Sequence, residues 1–266
     1  MRSKLADLQS LLKKLGKVLV AFSGGVDSTF LLKIAHDVLG DNVLAVIADS
    51  PTYPAEELTQ AQEFCKKLGV NYLVIKTDEC SSEEFLNNPP KRCYYCKKEL
   101  FTQLVNLAKE KNISYVLDGS NKDDLGDYRP GKMASAECGI RSPLQEVGLT
   151  KQEIRDLSKE MGLPTWDKPA QACLASRIPY GTKITPEILK KIEAGENYLK
   201  SLGFKQVRAR HHGNLVRLEL DQSSLDQLIE SELLDRISKK FELLGYTYVT
   251  VDLKGYRTGS LNEMLY

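Results

Sequence analysis

Long apolar runs are missing from this chain. The stretches 18–22 and 43–48 fall far short of the roughly 20 residues that a bilayer-spanning helix needs, so no membrane helix is expected. An excess of one charge is missing too. In 266 residues, 37 Lys and Arg stand against 36 Asp and Glu, a formal net charge of +1. That balance argues against a protein held to nucleic acid or to a membrane surface by bulk charge, while leaving room for local basic clusters. The N-terminal stretch 1–17 carries Asp7 among its basic residues and lacks both an apolar core and a small-residue cleavage site. It does not read as a secretory signal, and the expected location is the cytoplasm. Internal repeats and low-complexity tracts are absent. Histidine is scarce, and His211 and His212 are adjacent, which is not metal-ligand spacing. Six cysteines are present: Cys65, Cys80, Cys93, Cys96, Cys138 and Cys173. In a reducing compartment, and in a chain long enough to need no staples, they read as thiols or metal ligands rather than disulfides.

The length suits one large domain or two modest ones. Apolar, β-branched runs at 17–22, 43–48, 71–75 and 114–117 alternate with amphipathic stretches at 28–39, 55–68 and 97–109. This alternation predicts an α/β fold, a parallel sheet covered by helices. Gly40 and Gly69 are placed to stop the first two helices. Thr150, with Glu153 three residues on, is a capping box that opens a further helix to about Met161. Pro164, Pro169, Pro179 and Gly181 then fall in a stretch without periodicity, read as an interdomain loop over 166–184 that carries Cys173. Beyond it, Thr185 as N-cap and Pro186 at the first helical position open a helix to about Leu202. The runs 204–211 and 215–220 flank His212-Gly213-Asn214, a hairpin signal. Leu225, Leu228, Ile229, Leu233, Ile237, Phe241 and Leu244 recur at helical spacing before a last strand at 246–253. The domains expected are therefore 1–165 and a smaller α/β domain over 185–266.

Between the first strand and its helix lies Ser23-Gly24-Gly25-Val26-Asp27-Ser28, preceded by Ala21 and Phe22. In an open parallel sheet this is where ligands bind. Two glycines allow close approach of the backbone, two serines offer hydroxyls, and the helix N-terminus presents unpaired N–H groups to an anion. The Gly-Lys-Ser/Thr ending of a Walker A loop and the GxGxxG fingerprint are both missing. SGGVDS resembles the PP-loop of the ATP pyrophosphatases, a superfamily that includes GMP synthetase, NAD synthetase and tRNA thiolation enzymes. The resemblance implies cleavage of ATP between the α and β phosphates, with Asp27 helping to hold magnesium, a hard cation suited to carboxylate oxygens. Ala48-Asp49-Ser50 ends the second strand, where that superfamily grips adenosine. Asp118-Gly119-Ser120-Asn121-Lys122-Asp123-Asp124 ends a later strand on the same edge, as either a solvated polar loop or a magnesium and ribose or phosphate contact.

Cys93-Tyr94-Tyr95-Cys96 is flanked by Arg92, Lys97 and Lys98. Zinc, a redox pair and chance are all open readings of this CxxC, and a closed structural zinc site would want a second close pair that the sequence does not show. Arg177, near Cys173, would raise its thiolate fraction if the two side chains meet. Arg208 and Arg210 are two apart on one strand and share a face, and their guanidinium groups suit phosphate and carboxylate. Arg129 and Arg177 are similar candidates, with Ser176 as a donor and Glu219 as a ligand or salt-bridge partner. Cys65, Cys80 and Cys138 read as inert buried thiols.

Taken in order, SGGVDS, ADSPTYP, RCYYCK, DGSNKDDLGDYRPG, RSPL followed by GLTKQEIR, CLASRIPYGTKIT and VRARHHGNLVRLEL resemble the LarE family over essentially the whole chain. These are ATP-dependent sulfur transferases of nickel-pincer nucleotide cofactor biosynthesis. The resemblance makes 1–165 a PP-loop ATP pyrophosphatase domain and 185–266 a substrate and oligomerisation domain. It implies that ATP adenylates the carboxylates of a pyridinium-3,5-biscarboxylic acid mononucleotide and that sulfur displaces AMP to give thiocarboxylates. Implied ligands of the nucleotides are Ala21, Ser23, Gly24, Gly25, Val26, Asp27, Ser28, Asp49, Gly119, Asp124, Arg129, Arg208 and Arg210. Implied catalytic residues are Cys173, Ser176 and Arg177, and implied magnesium ligands are Asp27, Asp123 and Glu219. Two sulfur sources are known in the family: a sacrificed cysteine matching Cys173, which becomes dehydroalanine, and a 4Fe–4S cluster on three cysteines. With Cys93 and Cys96 present beside Cys173, the cluster is the favoured reading, since three thiolates leave one iron open to a sulfide. ATP, Mg2+ and the cluster are thus the expected cofactors. Sulfide or a sulfur donor, and further copies of the chain in a homo-oligomer with a hexamer as candidate form, are the expected partners, without nucleic acid or membrane. The competing readings are a PP-loop enzyme that thiolates or amidates tRNA and a non-catalytic nucleotide sensor. The carboxylate-rich loops disfavour the sensor, and the missing basic module disfavours tRNA.

Overall fold

The computed structural model describes residues 1–126, 130–169, 172–229, 233–257 and 259–265. The chain divides into two compact units, Met1–Phe85 with Lys91–Gln171 and Leu86–Pro90 with Ala172–Tyr266. The expected loop over 166–184 is thus shared, with 166–169 in the first unit and 172–184 in the second. Among the described residues, no helix is long and apolar enough to cross a membrane.

The first unit opens with α1 (Arg2–Leu15), β1 (Val18–Ala21), α2 (Val26–Leu39), β2 (Val43–Asp49), α3 (Ala55–Leu68) and β3 (Asn71–Lys76). After α4 (Glu83–Leu86) come α5 (Arg92–Glu110), β4 (Tyr115–Leu117), α6 (Gly131–Glu137), α7 (Pro143–Glu146) and α8 (Lys151–Glu160). The four strands form a parallel sheet in the order β3-β2-β1-β4. Apolar runs without alternation suit central strands covered on both faces, and β1 is one. Val18 and Val20 join the core built by α1, α2 and α8, whereas Leu19 points to the opposite core, formed by Phe101 and Leu104 of α5. Gly69 closes α3 in the left-handed region, φ 75°, where glycine carries no Cβ penalty. The capping box at Thr150 and Glu153 is present in both directions.

Three starts differ from the sequence reading. The periodicity of Leu5, Leu8, Leu12 and Leu15 makes 2–15 a helix, with Leu8 and Leu12 fully buried, where the sequence reading weighs only its charges and its lack of the features of a secretory signal. Helix α2 begins at Val26 rather than 28, so Asp27 and Ser28 lie in its first turn. Helix α5 begins at Arg92 rather than 97, so Cys93 lies in its first turn and Cys96 at the start of its second, three apart on one side. Its apolar period becomes visible only from Lys97 on, while Pro89 and Pro90 bar a helix immediately before it.

The second unit contains α9 (Pro186–Ser201), β5 (Val207–His212), β6 (Leu215–Leu220), α10 (Gln222–Ile229), α11 (Leu233–Leu243) and β7 (Tyr248–Val251). Strands β5 and β6 are antiparallel and β7 runs parallel to β6, in the order β5-β6-β7. Gly213, φ 68°, takes the first central position of the β5–β6 turn. The helical period expected from Leu225 to Leu244 is carried by two helices, with 230–232 outside the described residues. Gly195 lets α9 approach α11, because a Cβ there would sit 2.5 Å from the Phe241 ring.

Candidate functional site

The glycine loop ends β1 at the carboxyl edge of the parallel sheet. Gly24 adopts φ +69°, and a Cβ there would lie 3.3 Å from the Ala61 Cβ, so the loop is wedged against α3. Gly25 caps α2 from an extended conformation, and its carbonyl accepts from Thr29 N at 2.9 Å and from the Ser28 hydroxyl at 3.2 Å. The Ser23 and Ser28 hydroxyls lie 3.0 Å apart. This holds the loop open over the first turn of α2, with N–H groups and the positive end of the helix dipole directed at its mouth. Gly119, from the end of β4, passes so close that a Cβ would stand 2.9 Å from Ser28 N. Its glycine is therefore required by backbone approach, a reason that the sequence does not reveal.

An acidic cluster adjoins the loop. Asp27 accepts from Lys151 Nζ at 2.6 Å through Oδ2, while its buried Oδ1 has no hydrogen-bond partner of normal geometry among the described residues, the Asn121 side chain adding only a weak contact that lowers its pKa. Burial pushes the Asp27 carboxyl above its ordinary pKa; Lys151 pulls it back, and the charge of Asp124 raises it further. Asp124 is buried and accepts from Asn121 N at 2.8 Å. Asp123 accepts from Lys151 N at 2.8 Å and so caps α8, which places it beside the cluster but commits one oxygen to the helix. Lys151 escapes the sequence reading although it directly follows the N-cap Thr150, a position that sets it at a helix start on the ligand edge of the sheet. An orphaned, desolvated carboxylate oxygen with acidic neighbours fits a hard cation.

Beside the loop, a cavity of about 670 Å³, counting space open to solvent, runs along the ends of β1 and β2. Ala21, Ser23, Ala48, Asp49 and Ser50 line it, with Glu57 and Ala61 of α3 and Lys97 and Leu104 of α5. Ser50 is buried and donates to Glu79, which also accepts from Thr52 Oγ1 at 3.0 Å. Apolar walls and a polar rim at a sheet edge suit a nucleoside. Helix α5 thus shows Lys97 to the cavity one residue after Cys96.

No cysteine forms a disulfide. Cys93 is exposed and Cys96 half-buried, at the start of α5 with Arg92, Lys97 and Lys98 beside them in the sequence. At Cys65 and Cys80, burial pushes the thiols up to about 12 and about 11. Among the described residues, no group of three or more His, Cys, Asp or Glu stands at metal-holding spacing.

In the second unit Cys173 is half-buried and caps a short helical turn, Leu174–Arg177. Arg177 is 1% exposed and makes a two-pronged bridge to Glu196 at 2.8 and 2.9 Å. Its Nη1 donates to the carbonyls of Ala172 and Cys173 at 2.6 and 2.9 Å and to Ser176 Oγ at 3.0 Å. Arg177 therefore grips the main chain of the cysteine rather than its thiol, because Glu196 fixes the guanidinium from behind. Arg208 and Arg210 are both buried rather than on a solvated face. Arg210 donates to Ser176 O, Glu219 and Ser260, each at 2.7 Å, and its Nε is buried without a partner. Arg208 lies over the Tyr256 ring at 5.1 Å, and burial followed by the charge of Arg177 lowers its pKa. Glu219, weighed as a magnesium ligand or a salt-bridge partner, is the partner in this geometry. It is 0% exposed and accepts from Arg210, Arg217 and Ser260, two positive groups that oppose a metal cation at the same carboxylate. Arg177, Arg210, His212, Arg217 and Ser260 surround a second cavity, suited by its guanidinium groups to an anion. Ser260 and Arg217 are additions to the expected set, since nothing local in the sequence marks them. Arg129 lies outside the described residues.

Comparison with known proteins agrees with this geometry. Residues 5–92 match the NAD synthase family. An uncharacterized protein of Synechocystis sp. is 45% identical over 265 residues, 100% of this chain and 99% of that protein. Pyridinium-3,5-bisthiocarboxylic acid mononucleotide synthase of Lactiplantibacillus plantarum is 42% identical over 264 residues, 99% of this chain and 95% of that enzyme. An uncharacterized protein of Methanocaldococcus jannaschii is 33% identical over 258 residues, 96% of this chain and 98% of that protein.

Proposed function

The chain belongs to the LarE family of ATP-using sulfurtransferases, and from that premise we propose that it adenylates the carboxylates of pyridinium-3,5-biscarboxylic acid mononucleotide and replaces AMP by sulfur. The observation that carries the adenylation half is the glycine loop with the orphaned Asp27 oxygen beside a nucleoside-sized cavity. ATP lies with adenosine along Ala48, Asp49 and Ser50 and its phosphates over Ser23–Ser28, on the N–H groups of the first turn of α2. Asp27, through its Oδ1, would hold Mg2+, with Asp124 and Asp123 as acidic neighbours, and the cation would supply positive charge for the departing pyrophosphate. Lys151, already paired with Asp27, supplies a further positive charge at the same phosphates. A carboxylate oxygen is a poor leaving group and AMP a good one, so adenylation is what makes displacement by sulfur feasible. The second unit positions the anionic substrate, with Arg210, Arg208 and Ser176 as the groups for its phosphate and carboxylates.

For sulfur we assign a 4Fe–4S cluster to Cys93, Cys96 and Cys173. What supports the assignment is the donor set itself, Cys93 and Cys96 on one side of a helix start with three basic neighbours in the sequence, and Cys173 with its carbonyl clamped by Arg177; among the described residues the three do not stand as a preformed metal group. Within the second unit, Asn88 is 0% exposed and donates its side-chain amide to the Ile178, Pro179 and Thr182 carbonyls at 3.2, 2.8 and 3.1 Å, which fixes the segment after Cys173. A cluster held by three thiolates supplies a fourth iron position at which sulfide can be carried. A homo-oligomer is part of the proposal, for which light scattering is the direct check.

The test is anaerobic reconstitution with iron and sulfide on the wild type and on Cys93→Ala, Cys96→Ala and Cys173→Ala. About four irons per chain, lost in each variant, is the expected result. A colourless wild type whose Cys173 loses one sulfur on turnover would replace the cluster with a sacrificed cysteine. Pyrophosphate release independent of the mononucleotide would overturn the substrate.

A further inference from the structure

A second lysine reaches the glycine loop from a part of the chain that the reaction above does not use. Lys168 lies in 162–169, after α8. The backbone there is pinned to α8: Arg155 donates to the Trp166 and Lys168 carbonyls at 2.6 and 2.8 Å, and Lys159 sits 4.7 Å over the Trp166 ring. The Lys168 ammonium reaches the other way. It donates to Glu57 Oε2 at 2.6 Å, to Gln60 Oε1 at 3.1 Å and to the Gly24 carbonyl at 3.3 Å. The pair with Glu57 is shielded, its side chains 15% and 14% exposed. Glu57 lines the nucleoside cavity, and Gly24 is wedged on Ala61, one residue beyond Gln60. The cation therefore sits where the phosphate loop, α3 and the nucleoside cavity meet.

An ammonium on a flexible four-carbon stem, held by a carboxylate on one side and a loop carbonyl on the other, needs only a small swing to meet a phosphate oxygen. We propose that Lys168 is a positioning residue that exchanges Glu57 for a phosphate oxygen when the loop fills and so draws 162–169 onto the occupied loop. The segment drawn in is 162–169, within the first unit. The exchange swaps ion-pair partners only; no covalent bond changes. It rests on reading the loop as a nucleotide site.

Hydrogen exchange tests it without turnover. Mg-ATP and, separately, inorganic pyrophosphate should slow exchange of 162–169 about tenfold in the wild type and in Lys168→Arg, as one added charge-assisted contact predicts. In Lys168→Met that slowing should vanish while the start of α2 stays protected, and the KM for ATP should rise about tenfold. Equal protection of 162–169 in Lys168→Met, or none in a wild type whose α2 is protected, overturns the proposal. Should Lys168→Met fold poorly, Glu57→Gln releases the ammonium without removing it and should bind pyrophosphate more tightly; weaker binding counts against the exchange. A wild type that releases no pyrophosphate with the mononucleotide would sink the proposed reaction, while the exchange data would still decide the role of Lys168.

Discussion

The two units treat buried charge in opposite ways. At the edge of the parallel sheet, Asp27 keeps one oxygen without a partner beside another acid. In the second unit, Glu196 and Glu219 are surrounded by guanidinium, hydroxyl and backbone donors, and the unpartnered buried side-chain atoms among the described residues are the Nε of Arg210 and of Arg217. The saturated carboxylates are framework, holding arginines and the cysteine segment in place. The unsatisfied Asp27 oxygen suits a cation and the unsatisfied Arg210 N–H an anion.

Substitutions on each side sharpen this contrast. The largest effect is expected at Asp27. Asp27→Asn should cut pyrophosphate release about a thousandfold or more, a loss of several kcal/mol of transition-state stabilisation, while thermal denaturation shows an unchanged or raised Tm. The sign follows from linkage: its folded pKa lies above the ordinary 3.8, so the ionised form opposes folding at neutral pH and the amide removes that opposition. For the same reason, wild-type activity should fall as pH is lowered toward a pKa above 3.8, because protonated Asp27 cannot ligate a cation. A large drop in Tm with activity retained would reverse the assignment of the two units.

Glu219→Ala is the counterpart in the second unit. Removing one partner of a buried pair costs about 3–5 kcal/mol, so urea denaturation should show a large loss of stability whether or not ligand is present. The smallest effect is at Glu153, whose carboxylate closes the cap of α8 and pairs with Lys4 at 2.7 Å. Glu153→Gln should cost about 1 kcal/mol or less at neutral pH. The Lys4 and Thr150 contacts hold its pKa at about 2, so this contribution is full above the ordinary 4.5 and disappears as pH falls toward about 2. Denaturation of both proteins across that window checks it.

Much of the first unit is legible in the chain. The strand runs, the helix-stopping glycines, the capping box and the glycine loop all act within one or two turns, so their neighbours in sequence are their neighbours in space. The roles of Gly119 and Arg177 are not legible. One depends on how closely the end of β4 crosses α2, the other on Glu196 arriving from α9 to turn a guanidinium away from a thiol. The start of α5 is hidden because its first turn is neutral in propensity and its apolar face begins later.

Local order, the α/β class and the phosphate-binding loop were therefore properties of the sequence, since hydrophobic period, caps and turn residues exert their effects over a few residues. Which charges are saturated, and that Lys151 and Lys168 converge on the glycine loop from 124 and 144 residues away, were decided by the tertiary structure alone. Electrostatic partners are chosen by distance and burial, and neither exists until the chain has closed on itself.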